Sequence, residues 1–367
     1  MEEIFSENEN FRGYRIERLI GRGGLGAVYL AQHITLDGYF ALKILDPETA
    51  DEKPEYVKRF VREAKIASKI RHPNLVQVHD AGFDEAKGVY FIVMDYVSGS
   101  DLRTAIAMGG AMEPKEAVQI IAAVASALAA GEPFGMVHRD IKPENIMLAE
   151  DGSVKLVDLG VAKAKNTDSL VTISNTVFGT PNYISPEQAQ DSSAVDARAD
   201  VYSLGIVLYE LLCGRRPYNC NSPSDVIAKL LSPEELPDIR TFKADVPQKL
   251  AVLLQLMCAK SPEKRIASAS ALLDVLKRFG YDTPSVKQTS VGLLASPKPQ
   301  EQPVDYAEIA KTPANDTLSF ETRDEEISKF VKRLKARRRI KRIALAAAIA
   351  LLAVAAVTAA IYVMTRP

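Results

Sequence analysis

His138-Arg139-Asp140-Ile141-Lys142-Pro143-Glu144-Asn145 packs a carboxylate, a lysine and an amide side chain into a short loop after a long helical pattern. Phosphoryl transfer asks little covalent chemistry of a protein. It needs an acceptor hydroxyl held in line, metal ions bridging the phosphates, and positive charge for the group in transfer. Each need has a residue here. Asp140 can accept the hydroxyl proton, Lys142 can neutralise the γ-phosphate, and Asn145 can hold a magnesium ion together with Asp158 of Asp158-Leu159-Gly160. Two oxygen ligands plus the phosphates of ATP suit Mg2+, which seldom enters a full protein cage.

Upstream, Gly21-Arg22-Gly23-Gly24-Leu25-Gly26-Ala27-Val28 lies between two runs that read as strands. Glycines let a backbone approach phosphate oxygens and adopt angles closed to other residues. Dinucleotide-binding folds use the same spacing, but there a helix follows the loop, whereas residues 27–34 read as a strand. That context favours a hairpin lid over ATP, with Gly21, Gly23, Gly26 and Val28 along it. On the next strand, Ala41-Leu42-Lys43 offers a fixed cation for the α and β phosphates, provided an anion positions it. Glu63, on the one helix expected nearby, is its natural partner. An ordinary hairpin turn and a solvated lysine would explain this run in isolation. The ordered set Gly21, Lys43, Glu63, Asp140, Asn145 and Asp158 leaves that explanation little room.

From Tyr14 to about Val97, short β-rich runs alternate with turns and imply an antiparallel sheet. The interruption at 56–70 places Val57, Phe60, Val61, Ala64, Ala67 and Ser68 at helical spacing, so a single helix is expected to pack on that sheet. After Gly99 the pattern turns helical, most clearly at 114–130 and 200–214. The class is therefore α+β, a small β-rich lobe followed by a larger helical one. Residues 1–13 are an acidic, polar extension with neither a secretory signal nor a basic transit peptide. Residues 280–325 carry five prolines among many Ser and Thr, and read as a disordered linker.

With these residues in place, the sequence resembles the eukaryotic-like (Hanks-type) protein kinases, most closely the membrane-anchored serine/threonine kinases of bacteria. The resemblance covers about residues 14–279 and implies a bilobal protein kinase fold, N-lobe 14–97 and C-lobe 98–279. It includes Ser185-Pro186-Glu187, Asp200 as a buried brace of the catalytic loop, and Arg265 as the partner of Glu187. It implies that Met94 is the gatekeeper and that Asp95, Tyr96 and Val97 form the hinge meeting adenine. Val28 and Ala41 then complete the nucleotide site. Implied cofactors are ATP and Mg2+, with Mn2+ an admissible substitute. Leu159 and Ser185 depart from the family's usual Phe and Ala but leave the chemical ligands intact. Lys142 with Thr180 implies serine or threonine as acceptor. Thr172, Ser174 and Thr176 are candidate autophosphorylation sites that would order the activation loop, with Arg139 as cationic partner.

Ile343 to Met364 is an uncharged run of 22 residues, reaching ~33 Å as a helix, enough to cross a ~30 Å hydrocarbon core. Nine basic residues between Lys329 and Arg342 precede it and Arg366 alone follows. The positive-inside rule then puts the kinase in the cytosol of a single-pass cell-membrane protein, with 326–342 a basic juxtamembrane segment and 365–367 an external tail. The fold expectation is thus the two lobes plus one transmembrane helix. Small residues four apart in this run, such as Ala346 and Ala350, would permit a homodimer. A net charge of −1 argues against nucleic acid as the main partner. Cys213, Cys220 and Cys258 are too few and scattered for a disulfide framework. Expected partners are proteins with Ser or Thr acceptors and the membrane. The rival from another class is a membrane-bound pseudokinase scaffold, which loss of Lys43, Asp140 or Asp158 would have signalled.

Overall fold

Along Tyr39–Leu45, Phe40, Leu42 and Ile44 alternate with Ala41 and Lys43, so the two faces of one strand receive different side chains. That alternation organises the first half of the molecule. The structure is a computed structural model and describes residues 4–158, 181–190, 195–218, 220 and 222–281. Strands β1 (Asn10–Phe11), β2 (Tyr14–Gly23), β3 (Gly26–His33), β4 (Tyr39–Leu45), β5 (Val78–Asp84) and β6 (Val89–Asp95) form one antiparallel sheet in the order β1-β2-β3-β4-β6-β5. In register, Val28 faces Lys43 across β3 and β4, and Ala41 faces Met94 across β4 and β6.

Two helices accompany this sheet where the spacing predicted one. The short α1 (Pro47–Glu52) is capped by Asp46, whose carboxylate accepts the N–H and hydroxyl of Thr49 at 2.9 Å each; Pro47 suits a first helical position. Then α2 (Pro54–Ala67) buries Val57, Phe60, Ala64 and Ala67 on the expected stripe, and Glu63 with them. Val61 is only half-buried.

The sheet face opposite Lys43 has its own core of Phe11, Ile16, Tyr29, Phe40, Leu42 and Phe91, with Phe5 among them. The rings of Phe5, Phe11, Tyr29 and Phe91 meet edge to face, with centroids 4.7–5.4 Å apart. Asn8 donates its N–H to the Ile16 carbonyl at 2.7 Å, Ile16 returns one to Glu9 at 2.9 Å, and Lys87 pairs with Glu9. Residues 4–13, expected as an extension, are thus part of the lobe.

The second lobe holds a three-stranded sheet, β7 (Gly99–Asp101), β8 (Ile146–Ala149) and β9 (Val154–Leu156), and the helices α3 (Leu102–Gly109), α4 (Pro114–Gly131), α5 (Pro186–Gln190), α6 (Ala197–Cys213), α7 (Pro223–Leu231), α8 (Gln248–Met257) and α9 (Ala269–Arg278). Apolar almost all round, α4 packs against α6, α9 and β9. Among the described residues Pro114–Phe134 is the one helix long and apolar enough to cross a membrane, and it is largely buried in this lobe. Gly280 and Tyr281, assigned to the linker by composition, close α9 instead: the Tyr281 N–H bonds the Leu276 carbonyl at 3.0 Å and its side chain packs on the core. The β-rich and helical lobes of the expected bilobal fold are joined at Leu75 and Leu156, where Val76 donates to Leu156 at 3.1 Å and Leu156 to Asn74 at 2.8 Å. The rest of the linker, the basic segment 326–342, the expected span 343–364 and the tail 365–367 lie outside the described residues.

Candidate active site

Lys43 on β4 points toward α2 and reaches two carboxylates. Its Nζ lies 3.1 Å from Glu63 Oε1 and also bonds Asp158 Oδ1. Burial alone would discharge the lysine, but the charges of Asp158 and Glu63 overcome it and raise its pKa. Desolvation pushes the Glu63 carboxyl up to about 8, with Asp158 adding to the rise and Lys43 opposing it. Asp158 moves the other way: against desolvation, Lys43 holds it well below the usual carboxylate range. The three groups close the wall of a small cavity that also includes Met94, Val78, Ile92 and Leu156.

The loop after α4 is set by α6. Asp200 accepts the backbone N–H groups of His138 and Arg139 at 2.7 Å each. It is buried, and burial pushes its carboxyl up to about 6 despite those two bonds. Arg139 and Asp158 sit in the left-handed region at φ 64° and 59°, a conformation that costs about 1–3 kcal/mol at non-glycine residues unless the surroundings impose it. At Arg139, Asp200 and the Gln188 amide, which donates to the Arg139 carbonyl at 3.0 Å, do so. Asp140 then meets Lys142 Nζ at 3.1 Å and accepts from the Asn145 amide at 3.2 Å, which also donates to the Asp140 carbonyl at 2.8 Å. Asn145 ends a 3-10 turn, Pro143–Asn145, and accepts the Val157 N–H at 2.9 Å, which ties it to the residue before Asp158.

Gly21 and Gly23 border open space, while Gly26, at φ +152°, packs against the Ile44 carbonyl of β4. At the far edge Asp95 ends β6, followed by Tyr96 and Val97. Leu159, Gly160, Thr172, Ser174, Thr176 and Thr180 lie outside the described residues. Arg265, its side chain fully enclosed, binds Glu187 through two bonds, 2.7 and 3.1 Å.

Sequence reasoning missed Arg103. From α3 it bonds Glu210 at 2.8 Å, Glu144 at 3.1 Å and the Tyr183 hydroxyl, joining α6 to the catalytic loop. Glu210, a carboxylate in the apolar second half of α6, was the available signal, because a buried carboxylate demands a partner.

The donor set suits a divalent cation. Asn145 and Asp158 supply hard oxygen donors, and among the described residues no cluster of three or more His, Cys, Asp or Glu could hold an ion alone. Two such hard donors fit an ion completed by water and phosphate oxygens.

Three comparisons bear on this geometry. The family described as protein kinase domain matches residues 14–275. Serine/threonine-protein kinase PrkC of Bacillus subtilis is 39% identical over 279 residues, 76% of this chain and 42% of that protein. Serine/threonine-protein kinase PknB of Mycobacterium tuberculosis is 38% identical over 274 residues, 74% of this chain and 43% of its own. Among solved structures, the Mycobacterium tuberculosis PknI kinase domain is similar with a TM-score of 0.59 at 30% identity, covering 75% of this chain and 98% of that one. The chain therefore spans 42–43% of the length of these curated relatives.

Proposed function

The chain belongs to the protein kinase family, and on that premise we propose that it transfers the γ-phosphate of ATP to serine and threonine hydroxyls of proteins. The observation that carries this reading is the simultaneous engagement of Lys43 by Glu63 and Asp158. It leaves a cation fixed between two carboxyl groups beside the end of the catalytic loop.

Lys43, so held, presents its charge to the α and β phosphates, while the glycine hairpin from Gly21 to Gly26, with Val28 and Ala41, covers the nucleotide. Asp95 and Val97 receive adenine. Asp140 takes the proton of the acceptor hydroxyl as its oxygen bonds to the γ-phosphorus and the bond to the β-γ bridging oxygen breaks, releasing ADP. Lys142, 3.1 Å from Asp140, offsets charge on the transferred group. Asn145 and Asp158 would hold magnesium, or manganese in its place, which when bound supplies positive charge across the phosphate oxygens.

The acceptor class rests on Lys142, on Thr180 and on the serine/threonine kinases the chain resembles. Autophosphorylation at Thr172, Ser174 or Thr176 is supported by Arg139: its Nη1 is buried with no hydrogen-bond partner among the described residues, and Arg62 and Arg59 add to its positive surroundings. An anion there would meet the Arg139 guanidinium in a charge-assisted bond. Residues 343–364 would anchor the enzyme in the membrane, with the basic segment on the cytosolic side and a homodimer formed through the helix.

The test is incorporation of labelled γ-phosphate by the full chain with magnesium-ATP and a generic basic protein, beside an Asp140→Asn control. Label on Ser and Thr that vanishes in the control is the expected result. Absence of label from a folded, ATP-binding wild type would favour the pseudokinase scaffold.

A further inference from the structure

β5 and β6 run in register except at one point. Val78 pairs with Met94 and Asp80 with Val93, so His79 is the extra residue of a β-bulge. A bulge re-aims its side chain and bends its strand. Here it turns the imidazole toward the end of β6, where His79 Nε2 donates to Asp95 Oδ1 at 2.6 Å. The other carboxylate oxygen accepts the Gln77 N–H at 3.2 Å, and the Asp95 N–H donates to the Gln77 carbonyl at 3.0 Å. Asp95 is thus bound by three hydrogen bonds to β5 and the residue before it, at the point where the chain leaves the sheet.

On its other side the imidazole meets the edge of Phe40, with ring centroids 5.3 Å apart. Phe40 faces Asp95 across the β4–β6 pairing and immediately precedes Ala41. The imidazole thus packs on the residue that pairs with Asp95 and adjoins Ala41, the two places that the phosphotransfer reading assigns to the nucleotide. Both partners are mostly enclosed, with side chains 17% and 25% exposed. A hydrogen bond there is not lost to solvent as a surface pair would be.

We propose that His79 is a positioning residue for the nucleotide: by clamping the Asp95 carboxylate from a bulge in β5, it fixes the path of the hinge and sets the affinity for the adenine end of ATP. This inference rests on the phosphotransfer reading. The clamp acts on Asp95 at the end of β6, so its effect belongs to binding and not to the chemical step.

The experiment measures initial rates for the full chain across a magnesium-ATP titration at saturating acceptor protein, comparing wild type, His79→Phe, His79→Gln and Asp95→Asn. His79→Phe keeps a ring against Phe40 and removes the donor; it should raise KM for ATP about three- to tenfold with kcat unchanged. His79→Gln, which can still donate to Asp95, should recover most of that change. Asp95→Asn should move KM in the same direction as His79→Phe, and carries the comparison if His79→Phe does not fold. Unchanged KM in His79→Phe, or a kcat loss at unchanged KM shared by His79→Gln, would overturn the proposal in favour of a structural role. If the wild type transfers no phosphate, the phosphotransfer reading fails separately. Equilibrium binding of a fluorescent ATP analogue then decides the clamp: weaker binding by His79→Phe supports it and equal binding overturns it.

Discussion

Glu187 and Arg265, 78 residues apart in sequence, form a two-pronged ion pair in which the guanidinium is wholly enclosed. The same guanidinium donates to the carbonyls of Ala259 at 3.1 Å and Arg198 at 2.8 Å, so one side chain ties together the start of α5, the start of α6 and the turn after α8. Glu187→Gln would leave that cation uncompensated. We expect a loss of about 3–5 kcal/mol in urea unfolding, and Arg265→Lys should not be benign because it cannot reproduce the planar fork. A loss below about 1 kcal/mol, the level of an exposed pair, would show that the carbonyls alone hold Arg265.

Glu63 supplies a pH dependence. Its ordinary carboxyl titrates at 4.5 and its folded one at about 8, so between those values the folded protein retains a proton that the unfolded chain has released. The stability this group contributes is complete below 4.5 and is lost as pH climbs to about 8. Glu63→Gln removes the titration. Without nucleotide, wild type should therefore lose stability relative to Glu63→Gln as pH rises through that window; thermal unfolding of both proteins at matched pH measures it, and parallel curves would contradict the assignment.

The glycines of the hairpin should separate by function. A Cβ on Gly26 would lie 1.9 Å from the Ile44 carbonyl, one residue from Lys43, and φ there is +152°. Gly26→Ala must push β3 from β4, at a cost of about 1–3 kcal/mol or more. Gly23 has nothing within 4 Å, so Gly23→Ala should alter stability by less than about 0.5 kcal/mol while raising KM for ATP. Equal destabilisation by the two substitutions would refute the distinction.

Much of the site could be read from the chain because its chemistry demands particular atoms in a particular order. Lys43 and Glu63, and Asp140 with Lys142 and Asn145, come together as their types suggested. Asp200 and Arg265 were legible only through resemblance, since a lone carboxylate in a helix does not say which N–H groups it will accept. The His79 bulge was hidden because a one-residue slip in strand register leaves no mark on composition. Arg103 was hidden because its partners Glu144, Tyr183 and Glu210 are distant in sequence. Phe5 and Phe11 were hidden by the acidic, polar stretch around them, although two aromatic rings can fill a sheet face whatever surrounds them.

That aromatic cover changes what counts as one inheritable piece. Motif chemistry would draw the border at Tyr14, where the family match begins, yet Tyr29 and Phe91 find their outer neighbours in Phe5 and Phe11. A chimera spliced at Tyr14 would carry every group needed to handle phosphate and still arrive with an open greasy seam. The residues that must travel together for this lobe to be itself begin ahead of any residue that touches its chemistry.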